Sequence, residues 1–214
     1  MGWGQFERAT MKTKVGVLVS GRGSNLQALL DACADPAFPA EITLVISNIP
    51  EVYALERAAT AGVATQVIPH KQFASREEFD AAMDAALRAA GVEIVCLAGF
   101  MRLLTKDFVE SWSGRMINIH PSLLPSFKGL HTHERAIEAG VKLHGCTVHL
   151  VTPELDDGPI LVQAAVPVLA ADTPDTLAAR VLEQEHKAYP LGLKLVAEGR
   201  VTAEGSGALI NPRA

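Results

Sequence analysis

Short β-branched apolar runs alternate along this chain with longer stretches in which apolar residues recur every three or four positions. Residues 15–20 (VGVLVS) are the first run, with the continuous hydrophobicity of a strand buried on both faces of a parallel sheet. Leu26, Leu29 and Leu30 then fall at helical spacing within 26–34, after a polar, glycine-bearing stretch at 21–25. The alternation repeats as a strand over 42–47 (ITLVIS), a helix over 52–61 ended by Gly62, and a short strand over 65–68. Ser75 opens Ser-Arg-Glu-Glu, a capping-box pattern that puts Glu78 at the third helical position. It predicts a helix to about Ala90, with Gly91 as its stop. Strands are predicted over 94–98 and 116–119, with a helical segment over 106–112 between them. Short strands alternating with helices imply βαβ units. The predicted class is therefore α/β, a doubly wound, mostly parallel sheet with helices on both faces.

After Pro121 the texture changes. A short helix is predicted over 134–139, and strands over 147–151 and 160–166 are joined by the turn-rich segment 152–159, which predicts an antiparallel C-terminal edge. Residues 172–199 read as one long helix in which Pro174 suits the first turn and Pro190 is expected to kink or break the rod. No repeat, low-complexity tract or linker divides the chain. Residues 13–214 are expected to form a single domain after a poorly ordered extension over 1–12, in which Met11 is an alternative start.

Composition narrows the function classes. With 49% hydrophobic and 20% charged residues the balance is that of an ordinary globular domain. The formal net charge of −5, without a run of like charges, argues against a nucleic-acid surface, which draws on clustered Lys and Arg. No apolar stretch reaches the ~18 residues needed to span a bilayer, and the N-terminal stretch lacks a signal peptide's apolar core. The expectation is a cytoplasmic protein with no membrane partner. Cys33, Cys96 and Cys146 are widely spaced without a CxxC pair, which suggests reduced, mostly buried thiols rather than a nucleophile.

Three segments carry candidate chemistry. Ser20-Gly21-Arg22-Gly23-Ser24-Asn25 sits between the first strand and the first helix, and is neither GxGxxG nor a Walker A loop. Free N–H groups at a helix N-terminus, aided by the dipole, favour an anion such as phosphate. The alternative is a glycine turn with Ser24 or Asn25 as a simple N-cap. Residues 116–121 (MINIHP) end an apolar strand with two polar side chains, and strand alternation puts Asn118 and His120 on one face. Ligands of open α/β sheets bind beyond the carboxyl ends of the strands. There an amide and an imidazole suit stabilisation of an oxyanion and handling of a proton; otherwise Asn118 caps the loop and His120 is a satisfied buried histidine. The third segment, Glu154-Leu155-Asp156-Asp157-Gly158-Pro159, is a turn on composition, in which a carboxylate could orient and charge a nearby imidazole. His131-Thr132-His133 with Glu134 invites a metal reading. Glu134 begins a helical stretch, however, no HExxH is present, and His144 and His149 are not at paired ligand spacing, so no metal is expected.

Together these segments resemble the folate-dependent, single-domain phosphoribosylglycinamide formyltransferases. The resemblance covers about residues 14–197, with 20–26, 97–104, 118–125, 131–133, 156–159 and 184–190 (QEHKAYP) in order. Asn-x-His-Pro-Ser-Leu-Leu-Pro alone marks a wider group of formyltransferases and formyl hydrolases; the Ser-Gly-Arg-Gly-Ser-Asn loop and the length select this member. The resemblance implies formyl transfer from 10-formyltetrahydrofolate, as cosubstrate and without a metal, to the amine of 5-phosphoribosylglycinamide in purine biosynthesis. It implies that Gly23, Ser24 and Asn25 hold the substrate phosphate and that Glu185 meets ribose hydroxyls. Arg76, Met101, Arg102, Leu103, Leu104, Asn118 and Val151 would line the folate site, with the stretch from Val151 to Asp156 as its far wall. Asn118 and His120 would flank the formyl carbon, with Asp156 behind the imidazole. The family's acidic motif usually has a small residue where Asp157 stands here. Direct attack by the neutral amine is the expected mechanism, Leu124-Pro125 is expected to be cis, and the chain to be a monomer or homodimer with small-molecule partners. A 10-formyltetrahydrofolate hydrolase, a formyltransferase acting on charged tRNA and a non-catalytic nucleotide-binding module are the competing readings. The first commonly adds an N-terminal regulatory domain and the second a basic C-terminal one.

Overall fold

In a computed structural model, the structure describes residues 11–204 and 207–211. Of the extension expected over 1–12, residues 1–10 lie outside the described residues. Seven strands form one sheet: β1 (Thr13–Val19), β2 (Ala40–Ser47), β3 (Ala64–Val67), β4 (Ile94–Leu97), β5 (Met116–His120), β6 (Leu143–Leu150) and β7 (Ile160–Pro167). Their order is β3-β2-β1-β4-β5-β6-β7. The first five are parallel; β6 runs antiparallel to β5, and β7 antiparallel to β6. The doubly wound sheet and its antiparallel edge are thus as the alternation predicts.

Helices cover both faces: α1 (Ser24–Cys33), α2 (Tyr53–Thr60), α3 (Arg76–Ala89), α4 (Lys106–Ser111), α5 (Thr132–Glu138) and α6 (Pro174–Ala197). Strand alternation sorts the core. Val15, Val17 and Val19 pack with Leu26 and Leu29 of α1 and with Leu177, Val181 and Leu193 of α6. Leu18, on the other face, packs with Phe79, Met83 and Leu87 of α3 and Trp112 beyond α4. β1 lies between β2 and β4, so the chain winds outward in both directions from it. That makes the carboxyl ends of β1 and β4 the walls of the crevice where such sheets bind ligands. Among the described residues no helix is long and apolar enough to cross a membrane.

Several boundaries depart from the local pattern. The Ser75 hydroxyl accepts the Glu78 N–H at 3.1 Å as a capping box requires, but the Glu78 carboxylate reaches the Ala74 N–H instead of that of Ser75. Pro190 does not break α6, which is helical from Pro174 to Ala197. The neighbouring Tyr189 and Leu193 are fully buried, and the Tyr189 hydroxyl donates to the Leu97 carbonyl of the sheet at 2.8 Å. Packing along the whole helix outweighs the local cost of one interior proline, about 3 kcal/mol. β6 begins at Leu143, four residues before the predicted 147, because residues 143–146 pair with β7. A small hairpin, β8 (Val201–Glu204) with β9 (Gly207–Ile210), follows α6 and was not expected. Leu124-Pro125 is cis.

Candidate active site

The carboxyl end of β5 carries Asn118 and His120, and the antiparallel register sets His149 and Thr147 of β6 directly opposite them. The buried His149 ring lies with Nδ1 2.9 Å from the Leu150 carbonyl, an acceptor, so Nδ1 carries the proton. Burial pushes the His149 pKa below the ordinary imidazole range, and Nε2 is left as an acceptor. The Asn118 side-chain N–H donates to it at 3.2 Å. This contact settles which end of the Asn118 amide is nitrogen and leaves its second N–H for another acceptor.

His120 is buried between two acceptors. Its Nε2 lies 3.0 Å from the Phe127 carbonyl and its Nδ1 3.4 Å from Asp156 Oδ2. A doubly protonated ring serves both. Asp156 Oδ2 also accepts the Gly129 N–H at 2.8 Å, and Oδ1 lies 3.9 Å from His149 Nε2. One buried carboxylate therefore meets both imidazoles and ties down the loop after β5. Asp156 has a φ of 50°, a left-handed conformation that Asp tolerates better than most residues. Gly158 is required beside it: a Cβ there would lie 1.7 Å from the Leu150 carbonyl oxygen. Asp157 points elsewhere, half-exposed and paired with Lys128. The structure thus brings Asp156, and not Asp157, to the imidazole.

Behind this layer His144 Nε2 lies 3.2 Å from His133 Nδ1. Burial, with His133 next to it, pushes His144 down to about 4 from an ordinary 6.5, and His133 is lowered by burial too. The folded pKa is below the unfolded one, so the unfolded chain takes up the proton first as pH falls. Stability is full above about pH 6.5 and is lost between 6.5 and about 4. Between pH 7.5 and 5 the expected loss from His144 alone is about 2 kcal/mol, or a drop in Tm of roughly 4–8 °C. Thermal melts across that range check this; His144→Phe should flatten the profile, and an unchanged slope would remove the assignment.

The stretch after β1 ends in an uncapped helix. Gly23 is the N-cap of α1 with φ 71° and ψ 33°, no side chain of the cap bonds the first-turn N–H groups, and the first turn itself carries no acidic residue. Neither Ser24 nor Asn25 is the cap. A Cβ on Gly23 would sit 2.7 Å from that of Ala54, so only glycine lets α2 approach the loop this closely. The Asn25 side chain donates to the Glu185 carboxylate of α6 at 2.6 Å. Burial raises the Glu185 pKa, against the lowering effect of that hydrogen bond. Arg22 is exposed, and its carbonyl accepts from Arg57 Nε at 2.9 Å.

The stretch after β4 forms the opposite wall. Met101 and Leu103 are 65% and 60% exposed, Arg102 is exposed and Leu104 is half-buried. Apolar side chains left open in a crevice mark a surface for a ligand. The ends of the stretch are held: the Met101 N–H donates to Ser20 Oγ at 2.8 Å, and the Thr105 N–H to the Asp80 carboxylate at 2.6 Å. Arg76 opens α3, and its charge acts on Asp80, which puts it beside this wall. Val151, half-buried, leaves β6 with its N–H on the Met116 carbonyl at 2.9 Å.

His149 and Thr147 are the members that the pattern of residues missed, and only the β5–β6 register reveals them. Burial pushes the thiols of Cys33 and Cys146 up to about 11 and about 12, and that of Cys96 higher still, which makes none of them a ready nucleophile. His131 is the N-cap of α5, exposed beside Glu134. Among the described residues no three His, Cys, Asp or Glu side chains are grouped to hold a metal ion.

Residues 13–193 match the formyl transferase family model. The phosphoribosylglycinamide formyltransferase of Escherichia coli (strain K12) is 46% identical over 91% of this chain and 92% of its own length. The trifunctional purine biosynthetic protein adenosine-3 of Gallus gallus is 52% identical over 92% of this chain, but the chain spans only 20% of that relative's length. The crystal structure of glycinamide ribonucleotide transformylase 1 from Symbiobacterium toebii superposes with a TM-score of 0.92 at 47% identity, over 94% of this chain and 95% of that one.

Proposed function

We infer the activity from the premise that this chain belongs to the formyl transferase family. We propose that it moves the formyl group of 10-formyltetrahydrofolate to the amine of 5-phosphoribosylglycinamide, a step of purine biosynthesis. The observation that carries this is the position of Asn118 and of His120 with its buried Asp156. They lie at the end of β5, next to β4 and one strand beyond the loop after β1. The uncapped N–H groups at 23–25 suit the substrate phosphate, and Glu185, oriented by Asn25, suits ribose hydroxyls. Met101, Arg102, Leu103, Leu104 and Val151, with Arg76 at the rim, suit a flat heterocycle held by apolar contacts and backbone groups.

In this reading the neutral amine attacks the formyl carbon directly. The second Asn118 N–H donates to the oxyanion as it forms, and the His120 imidazolium, whose two N–H groups are held by Phe127 and Asp156, stabilises it by its charge, in a site where buried partners have already oriented both. Asp156 positions His120 and balances its charge. The proton lost by the amine passes to the folate nitrogen that leaves, so the formyl group never becomes attached to the protein.

Formyl release from 10-formyltetrahydrofolate should depend on added 5-phosphoribosylglycinamide. Release at the same rate without it would indicate a hydrolase using water as acceptor with the same side chains. No release under either condition would leave a nucleotide-binding module.

A further inference from the structure

The hydrogen bond from Met101 to Ser20 joins the two walls of the crevice. Ser20 is 7% exposed, directly after β1 and directly before the glycine loop. Its hydroxyl accepts the Met101 N–H at 2.8 Å and donates its single proton to Asn48 Oδ1 at 2.6 Å. Asn48, 2% exposed at the end of β2, reaches on through Nδ2 to His70 Nδ1 at 3.1 Å. The carboxyl ends of β1, β2 and β4 are thereby linked by buried polar groups. With its one proton given to Asn48 and one lone pair given to the Met101 N–H, the Ser20 hydroxyl has a set orientation, which Asn48 imposes.

The consequence follows from what each wall lacks. In the stretch 98–104 Ala98 is buried and Phe100 and Leu104 pack on the core, whereas the Met101 and Leu103 side chains are open, so at Met101 the bond to Ser20 takes the place that side-chain packing has at its neighbours. The glycine loop after Ser20 has uncapped N–H groups, and an anion on them would restrict the backbone that begins at Gly21. Ordering one wall lowers the entropy that the other must lose when it binds its ligand.

We propose that Ser20, oriented by Asn48, is a positioning residue that couples the two substrate subsites: the nucleotide on the glycine loop tightens the folate on the 98–104 wall, and the reverse by the same factor. This rests on the activity proposed above.

The test uses the full chain and calorimetry. 5,8-Dideazafolate, which has no formyl group to transfer, is titrated with and without saturating 5-phosphoribosylglycinamide. In the unaltered chain the nucleotide should tighten the folate analogue at least about fivefold. Ser20→Ala should bring that ratio close to one while nucleotide affinity alone changes less than about threefold, and Ser20→Thr, which keeps a hydroxyl, should restore part of it. Asn48→Ala, which keeps Ser20 but removes its acceptor, should lower the ratio too and supplies the measurement if Ser20→Ala does not fold. A ratio of one in the unaltered chain that still transfers formyl, or a full ratio in the folded variants, overturns the coupling alone. A chain that binds neither probe overturns the proposed activity and the coupling with it.

Discussion

Asn118→Ala is expected to lower kcat for formyl transfer by about 10²–10³-fold while the affinity for a folate analogue stays within a few-fold. The size follows from the site. A hydrogen-bond donor aimed at a developing oxyanion acts most strongly when it is oriented before the reaction, and Asn118 is oriented by the neutral His149 ring at 3.2 Å. Alanine removes the donor and leaves His149 Nε2 to a water, with little effect on the packing of β5, since Ile117 and Ile119 carry the buried apolar contacts. Steady-state kinetics with both substrates, together with calorimetric binding, separates the two quantities. His120→Ala should fall in the same range, and the double variant should lose less than the product of the single losses, because the two groups act on one oxygen. A turnover within a few-fold of the unaltered chain would take Asn118 out of the reaction.

The second large effect is expected at Asp156 and not at its neighbour. Asp156→Asn should cost about 10²–10³-fold in kcat, since an amide oxygen in the place of Oδ2 can still accept from His120 and the Gly129 N–H but the carboxylate charge that balances the His120 imidazolium in the proposed reaction is gone. Asp157→Asn should keep the rate within about threefold, because its contact is a surface pair with Lys128, and such pairs contribute little. Measuring the two variants side by side, with circular dichroism to show that both fold, is decisive. Equal losses would mean that the whole turn shifted, and a larger loss at Asp157 would reverse the assignment.

Much of this arrangement was legible in the chain, for reasons that differ by element. β1, β2, β4 and β5 are short runs buried on both faces, and continuous hydrophobicity is enough to reveal them. Asn118 and His120 stand out against that same pattern, since two polar residues at alternate positions must share one face of a strand. The glycine loop was legible as a possible anion site, although the cap proved to be Gly23. By contrast, Asp156 entered only through the resemblance to a known family. Its turn reads as solvated, and nothing within residues 154–159 says that one of two adjacent acids is buried.

Local sequence by itself determined the alternation of strands and helices, the faces that they bury, and the two polar side chains at the end of β5. Those properties depend on neighbours two to four positions away, whose spacing is set by backbone geometry. Only the tertiary structure decided that α6 continues through Pro190, that His149 and Thr147 face Asn118 and His120, that Asp156 and not Asp157 reaches the imidazole, and that Ser20 bonds Met101. Each of these joins residues far apart in the chain, or is settled by packing against them. It depends on antiparallel register, on the close approach that Gly158 permits, and on the crevice between diverging strands. Such contacts form when the whole sheet closes, and no short stretch of the chain encodes them alone.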